Sequence, residues 1–136
     1  MKIEQAIYSL LSGDTSIQTM VGDRIYPLVA PQSITFPFLI YQESGHSRTA
    51  SIAGNTMMRL FRCRIDGYSE SYSDAKDIRD AVLDKLVNYK GTVGNISIHY
   101  IDQEDTSDEH LPPVHSDERG IFGAGLDFAV YYTGGD

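Results

Sequence analysis

The feature that most constrains the fold is a set of apolar residues spaced two apart near the end of the chain. Between residues 121 and 132 every second residue is apolar: Phe122, Ala124, Leu126, Phe128, Val130 and Tyr132. Successive side chains of a β-strand point to opposite faces, so this spacing places the whole set on one face. Residues 57–68 alternate in the same way, with Phe61, Cys63 and Ile65 on one face and Arg62, Arg64 and Asp66 on the other. The chain is therefore expected to build a sheet with one buried face.

Three other segments have helical periodicity. Residues 2–12 predict an amphipathic helix that ends near Gly13, and residues 14–20 predict a second, short helix capped by Asp14 or Thr15. The main helix is predicted to begin at Ser71 or Ser73 and to end at Gly91. Its predicted buried stripe consists of Ala75, Ile78, Val82, Leu86 and Tyr89.

Two further strands and two long loops complete the pattern. Aromatic and β-branched residues predict strands over 38–44 and 93–101. Residues 45–56 are polar and residues 102–120 are acidic with two consecutive prolines, and both are predicted to be exposed loops. The order α-α-β-β-α-β-β then predicts one α+β domain over residues 1–136. Its sheet should be mainly antiparallel and four-stranded, with the helices packed on one face.

Composition excludes several classes of function. A formal net charge of −8 opposes high-affinity binding to nucleic acid, because clustered cations would be needed to displace counterions from phosphates. The N-terminus lacks the continuous apolar run of a signal peptide or membrane span, so we predict no membrane association. The single cysteine, Cys63, cannot form an internal disulfide, which fits a reducing cytosol.

An acidic segment offers the residue types of a metal site. His110 and His115 lie near Asp105, Asp108, Glu109 and Asp117, and imidazole and carboxylate groups bind zinc or manganese. The spacing matches no known site, and ligands on a predicted loop are poorly preorganised. We therefore interpret this segment as a solvated acidic loop and predict neither a metal nor a cofactor.

Two other groups of residues could suggest catalysis. Cys63 could act with His46 or His99, but it lies on the predicted apolar face, where a thiol behaves as a small hydrophobe. Three glycines, Gly120, Gly123 and Gly125, could suggest a phosphate-binding loop, but no Lys-Ser/Thr pair or helix follows them. Glycines within a strand more often mark a bulge or a close backbone contact. No catalytic residue is predicted.

The order of several short segments resembles a known family. They are, in sequence, Ile7-Tyr8-Ser9-Leu10-Leu11, Val21-Gly22-Asp23-Arg24-Ile25-Tyr26-Pro27, Pro37-Phe38-Leu39-Ile40-Tyr41-Gln42, Arg62-Cys63-Arg64-Ile65-Asp66-Gly67-Tyr68, Tyr72-Ser73-Asp74-Ala75 and Leu126-Asp127-Phe128-Ala129-Val130-Tyr131-Tyr132. Each string alone is unspecific, whereas their order along nearly the whole chain resembles the tail-completion, or tail-terminator, proteins of long-tailed bacteriophages and prophages.

The resemblance implies a structural virion protein and not an enzyme. Members of that family form a ring, expected to be hexameric, that caps the tail tube and joins it to the head connector. The implied partners are other copies of the chain, the tail-tube protein and the head-tail connector protein, with DNA as passing cargo. The implied location is the virion tail, after assembly in the host bacterial cytoplasm. Another phage neck or minor tail component is the first alternative, and a small metal-binding enzyme is the second.

Ring formation requires contact surfaces, and the sequence offers two kinds of candidate. Long loops and exposed strands are natural places for such contacts, and arginine is enriched in interfaces. A solvated surface is an equally good interpretation of the β-strand candidates. The predicted interface residues are Arg62, Arg64, Asp66, His99, Asp105, Asp108 and Glu109.

Overall fold

A computed structural model describes residues 1–32, 34–48, 58–111 and 120–135 of the chain. Its helices are α1 (Ile3–Ser12), α2 (Thr15–Val21) and α3 (Tyr72–Leu86). Its strands are β1 (Ile25–Pro27), β2 (Phe38–Arg48), β3 (Arg59–Ser69), β4 (Gly91–Val93), β5 (Ile96–Leu111) and β6 (Ile121–Gly134). None of the helices in these ranges is long and apolar enough to cross a membrane.

The strands form one sheet in the order β1-β2-β3-β6-β5-β4. Four of its pairings are antiparallel, whereas β1 runs parallel to β2, with Ile25 opposite Leu39. The predicted α+β class is confirmed. The predicted number of strands, four, is wrong, because the short strands β1 and β4 are added at the two edges of the sheet. The predicted element order is wrong for the same reason.

Capping interactions fix where the helices begin and end. The Asp14 carboxylate accepts a hydrogen bond of 3.1 Å from the Ile17 amide and so caps α2. Ser71 caps α3 by accepting from the Asp74 amide. Gly22 ends α2 with a positive φ of 59°. The helix α3 ends at Leu86 rather than near Gly91, because Asn88 also takes a positive φ and turns the chain.

The helices and one face of the sheet enclose the hydrophobic core. Phe61, Cys63 and Ile65 of β3 are buried there, as predicted, and so is the apolar set of β6 from Ala124 to Tyr132. Gly67 allows α3 to approach closely, since a Cβ at this position would lie 2.8 Å from Cγ2 of Ile78. The helices thus cover one face of the sheet, and within the described ranges no helix lies on the opposite face, here called the outer face.

Both predicted loops begin as strand in the structure. Residues 102–111 continue β5 and pair with β6 as far as the pair of Leu111 and Ile121, so the loop prediction is wrong there. Residues 45–48 likewise continue β2. The remaining parts of the two predicted loops, residues 49–57 and 112–119, lie outside the described residues. In residues 104–110 of β5 the polar side chains stay exposed while pairing with β6 satisfies the backbone groups, so the polar sequence does not prevent a strand there.

Candidate assembly surfaces

A network of charged and polar groups lies on the outer face of the sheet around Arg64. Its guanidinium donates from Nε to both carboxylate oxygens of Asp66 at 3.2 Å and contacts Oδ2 of Asp127 at 3.2 Å. It also donates to Oγ of Ser107. The network therefore joins the three adjacent strands β3, β6 and β5.

Asp66 is the most buried member of this network, with a relative exposure of 7%. Burial raises the pKa of its carboxyl, and the hydrogen bonds and charge of Arg64 partly offset that effect. A buried carboxylate needs such partners to remain charged. Arg64 and Asp66 thus contact each other within the subunit, which the alternation of the sequence could not reveal.

An aromatic cluster lies at the end of the outer face next to this network. The rings of Phe38 and Tyr68 stack at 5.2 Å between centroids, and Phe36 and Tyr26 lie 5.3 Å and 6.2 Å from Phe38. Gly123 leaves space for the Tyr68 ring, because a Cβ there would lie 2.9 Å from it. This observation supports the sequence interpretation of the strand glycines as positions of close contact. The cluster covers the outer face where β1, β2, β3 and β6 meet.

A second charged cluster connects α3 to β5 on the helix side of the sheet. The Asp108 carboxylate accepts from the Tyr72 hydroxyl at 2.9 Å, from Nζ of Lys76 at 3.0 Å and from Arg79 at 3.2 Å. These donors lower the pKa of Asp108, and the hydrogen bond from Lys76 has the largest effect. Asp108 therefore connects the acidic second half of β5 to helix α3.

A groove lies between α2 and α3 on the helix side of the molecule. We call it the helix groove; its volume is about 720 Å³, and Met20, Ile78 and Ala81 contribute apolar surface to it, with Pro37 also on its wall. Its charged lining residues are Asp14, Asp74, Asp77, Asp80, Asp84 and Lys85. Sequence reasoning did not identify this groove. The aspartates recur at intervals of three or four along α3, and this pattern is the sequence signal that could have indicated an acidic helix face.

Comparison with known proteins identifies the family. The family model described as "Tail completion protein gp17" matches residues 5–114, which is most of the chain. The chain belongs to this tail-completion family. The resemblance found in the sequence is thereby confirmed, and the family is one of structural phage tail proteins rather than of enzymes.

The fold of this tail-completion protein also occurs in a solved virion. One chain of the structure described as "Virion of native gene transfer agent (GTA) particle" matches with a TM-score of 0.72. The match covers 97% of this chain and 95% of that chain at 16% sequence identity. At this identity the likeness establishes the fold alone. None of the curated proteins that were compared with the sequence matches it.

The structure places the predicted interface residues of the tail-completion protein in different surroundings. Arg62 is exposed on β3 and forms an ion pair of 3.1 Å with Glu104 of β5. Asp105 and Glu109 are exposed on β5, and His99 is exposed with Nε2 2.9 Å from Oγ1 of Thr133. Arg64, Asp66 and Asp108 take part in the internal contacts described above. The assignment of these residues to an intersubunit contact stays a prediction.

The residues that could suggest nucleophilic catalysis contact other groups in the tail-completion fold. Cys63 is 1% exposed, and burial raises the pKa of its thiol to about 12. His46 instead lies with Nε2 2.9 Å from the Tyr132 hydroxyl. A thiol with so high a pKa is protonated at neutral pH and is a poor nucleophile.

The acidic segment considered for metal binding forms strand as far as Leu111, and residues 112–119 lie outside the described residues. His110 stacks on Phe122 with 4.6 Å between ring centroids, and Asp108 binds the side chains of α3. Among residues 1–32, 34–48, 58–111 and 120–135, no group of three or more histidine, cysteine or carboxylate side chains could hold a metal ion. His115 and Asp117 lie outside these ranges.

Proposed function

We propose that this chain completes the phage tail by forming a ring at the end of the tail tube. The ring would stop polymerisation of the tube and present a surface to the head-tail connector. The observation that carries the proposal is the family match over residues 5–114. The occurrence of the same fold in a virion particle supports it.

A closed ring requires two different surfaces on each subunit. In a head-to-tail contact one patch of a subunit meets another patch of the next, and the ring closes when the rotation between subunits divides a full turn. We propose a hexamer, as the family resemblance implies. The long strands β2 and β5 provide asymmetric surfaces of this kind, because they lie on opposite sides of the paired strands β3 and β6.

The charge of the chain supports a role in which DNA passes without binding. A formal charge of −8 per subunit gives a ring a strongly negative field. Such a field repels the phosphate backbone and would not retain DNA in the lumen. DNA is therefore proposed as cargo of the assembled virion and not as a ligand.

Deletion of the gene from its phage or prophage tests the proposal. Without a terminator, tube subunits should continue to add, so negative-stain microscopy should show tubes longer than the regular wild-type tails. Expression of the wild-type chain from a plasmid should restore regular length. Tails of regular length that lack heads would contradict the capping role and assign the chain to another neck or minor tail position.

A further inference from the structure

Two consecutive apolar residues, Leu28 and Val29, follow β1 directly and are exposed. Their relative exposures of 64% and 70% are the highest among the large apolar residues in the described ranges. Apolar residues scattered singly over a surface are normal, whereas contiguous exposed apolar surface often marks a protein contact. We call Leu28 and Val29 the apolar tip.

The backbone holds the apolar tip in a defined conformation. Leu28 has a positive φ of 66°, which is uncommon for a bulky residue. Its amide donates to the Tyr41 carbonyl at 2.9 Å, and the Val29 amide donates to the Pro27 carbonyl at 2.7 Å. A residue stays in such a conformation only where its surroundings fix it. A segment that is already ordered loses little conformational entropy when it binds.

The charge pattern around the tip favours another copy of the chain as its partner. Residues 25–42 contain no aspartate, glutamate, lysine, arginine or histidine, although the whole chain has a net charge of −8. Two copies with this charge repel each other, so their contact is least opposed where neither surface adds charge. A basic partner would gain nothing from this segment. A second acidic copy, in contrast, can bury the tip without added repulsion.

A second uncharged region lies at the opposite edge of the sheet. Residues 91–98 and 128–135 also lack acidic and basic side chains, and they belong to β4, β5 and β6. Tyr100 of β5 is 44% exposed, and its ring stacks on that of Tyr131 with 6.2 Å between centroids. We call Tyr100 and Tyr131 the tyrosine pair. Tyrosine rings supply large, rigid contact areas and are enriched at the centres of interfaces.

The other exposed aromatic residues of the described ranges are less suitable receptors. The Tyr72 hydroxyl donates to Asp108, which holds this residue in the contact of α3 with β5. The Tyr8 ring lies 6.1 Å from that of Tyr41, whose carbonyl accepts from the tip, so Tyr8 is on the same side of the molecule as the tip. Tyr100 lies beyond the residues of β5 that pair with β4 and has no described strand on its outward side.

We propose that the apolar tip of one copy docks on the tyrosine pair of the next copy. This inference rests on the proposed function, and it names the two surfaces of the head-to-tail contact. The contact is heterologous, because the tip and the tyrosine pair lie at opposite edges of the sheet. Its repetition generates a ring or an open chain of subunits.

Substitutions on each surface test the docking. The tip variant carries Leu28→Glu and Val29→Glu, and the pair variant carries Tyr100→Glu. Light scattering coupled to size exclusion should find the wild type assembled and each variant alone at the monomer mass of 15.1 kDa. The control, Ser16→Glu with Ser73→Glu, adds two charges at exposed positions in the first turns of α2 and α3, where acidic residues are favourable. It should assemble like the wild type.

An equimolar mixture of the two variants separates loss of contact from loss of folding. The pair variant keeps a native tip, and the tip variant keeps a native tyrosine pair, so one contact can form between them. The mixture should contain a dimer of twice the monomer mass and nothing larger, because both free ends of this dimer are defective. Two unfolded variants could not form it.

Cross-linking detects the same contact where it is too weak for light scattering. Val29→Cys places a thiol in the tip, and His99→Cys places one at an exposed position next to Tyr100. The native Cys63 is 1% exposed and should not react. A short bismaleimide should join these two variants to each other when they are mixed, and neither variant to itself. A mixture of Val29→Cys with Ser73→Cys should give no product.

Three results would overturn the inference. The first is assembly of the tip variant or the pair variant alone to the same mass as the wild type. The second is a failure of both mixtures, with neither a dimer nor a cross-linked product. The third is cross-linking of Val29→Cys subunits to one another, which would show a contact between two tips.

Other outcomes concern the proposed function separately. If a chain with both cysteines gives a cross-linked ladder that continues past the hexamer, the closed hexameric ring is contradicted and the docking contact is supported. If the tip variant assembles but no longer binds tail-tube protein, the tip belongs to that contact. This result overturns the docking inference and leaves the capping role in place.

Discussion

Gly125 of β6 lies directly opposite Asp66 of β3, and its missing side chain leaves the space in which the Asp66 carboxylate meets Arg64. A Cβ at this position would collide with Asp66 and with the Arg64 guanidinium. The glycine is thus needed for the charged network of the outer face rather than for an unusual backbone angle.

Substitution Gly125→Ala should destabilise the fold by about 1–3 kcal/mol, the usual cost of overpacking, because Asp66 is buried and its carboxylate has little room to move. Chemical denaturation measures this change. Gly45→Ala is the matched control, since a Cβ at Gly45 would meet its nearest atoms, those of Arg62, at an ordinary 3.7 Å. Equal stability of the two variants would contradict the steric role of Gly125.

Burial of Cys63 should make the protein sensitive to alkaline pH. The thiol pKa is raised to about 12, so above its ordinary value of about 8.5 the unfolded state releases this proton before the folded state does. Unfolding free energy should therefore fall by roughly 1 kcal/mol for each pH unit between these values from this group alone. The Cys63→Ala variant lacks the titration, and its stability should decline less steeply when both proteins are denatured between about pH 9 and 11. Parallel slopes would show that the thiol is not protected.

Asp108 should stabilise the contact of α3 with β5 at neutral pH and lose this effect in acid. The pKa of Asp108 is lowered in the folded state, so the stabilisation is present above the unfolded value of about 3.9 and disappears as pH falls through the folded value. Asp108→Asn should lower the urea midpoint at neutral pH and leave it unchanged in strong acid. Asp105→Asn is the control, because an asparagine side chain at this position can still accept the hydrogen bond that Asp105 accepts from the Thr106 amide. A pH-independent difference for Asp108→Asn would contradict an ionic contact.

Substitution of Arg62 tests whether the outer face takes part in assembly. Its guanidinium is exposed and pairs with Glu104, so Arg62→Glu should weaken subunit association if the outer face meets another copy. The exchange Arg62→Glu with Glu104→Arg restores the internal ion pair while leaving a carboxylate at position 62. Analytical ultracentrifugation should then find association weakened in both variants. Recovery of association in the exchange variant would limit Arg62 to an internal role.

The elements that could be predicted from the sequence are those whose apolar residues lie on one face. The helix α3 was recognised because Ala75, Ile78, Val82 and Leu86 recur at helical spacing, and β6 because its apolar residues alternate. These patterns are local, since each element buries one face against the same core. Family recognition followed from the order of such segments.

Other elements depend on contacts that are distant in sequence. β1 comprises three residues, and its parallel pairing with Leu39 to Tyr41 has no local signal. The segment from Asp102 to Glu109 is too acidic to suggest a strand, yet it pairs with β6 because the neighbouring strand supplies its backbone hydrogen bonds. The helix groove arises from the packing of α2 against α3, which residue types alone do not determine.

The two edge strands are short, and this has a consequence for the free subunit. β1 pairs with residues 39–41 of β2, and β4 pairs with residues 96–98 of β5. In the described part of the chain, residues 42–48 and 99–111 therefore have no strand on their outward side. Unpaired strand edges recruit other strands, and the acidic side chains and bulges of β5 oppose such pairing. We expect free subunits to meet at these edges, and such association should become faster with rising concentration and with the screening of β5 by salt.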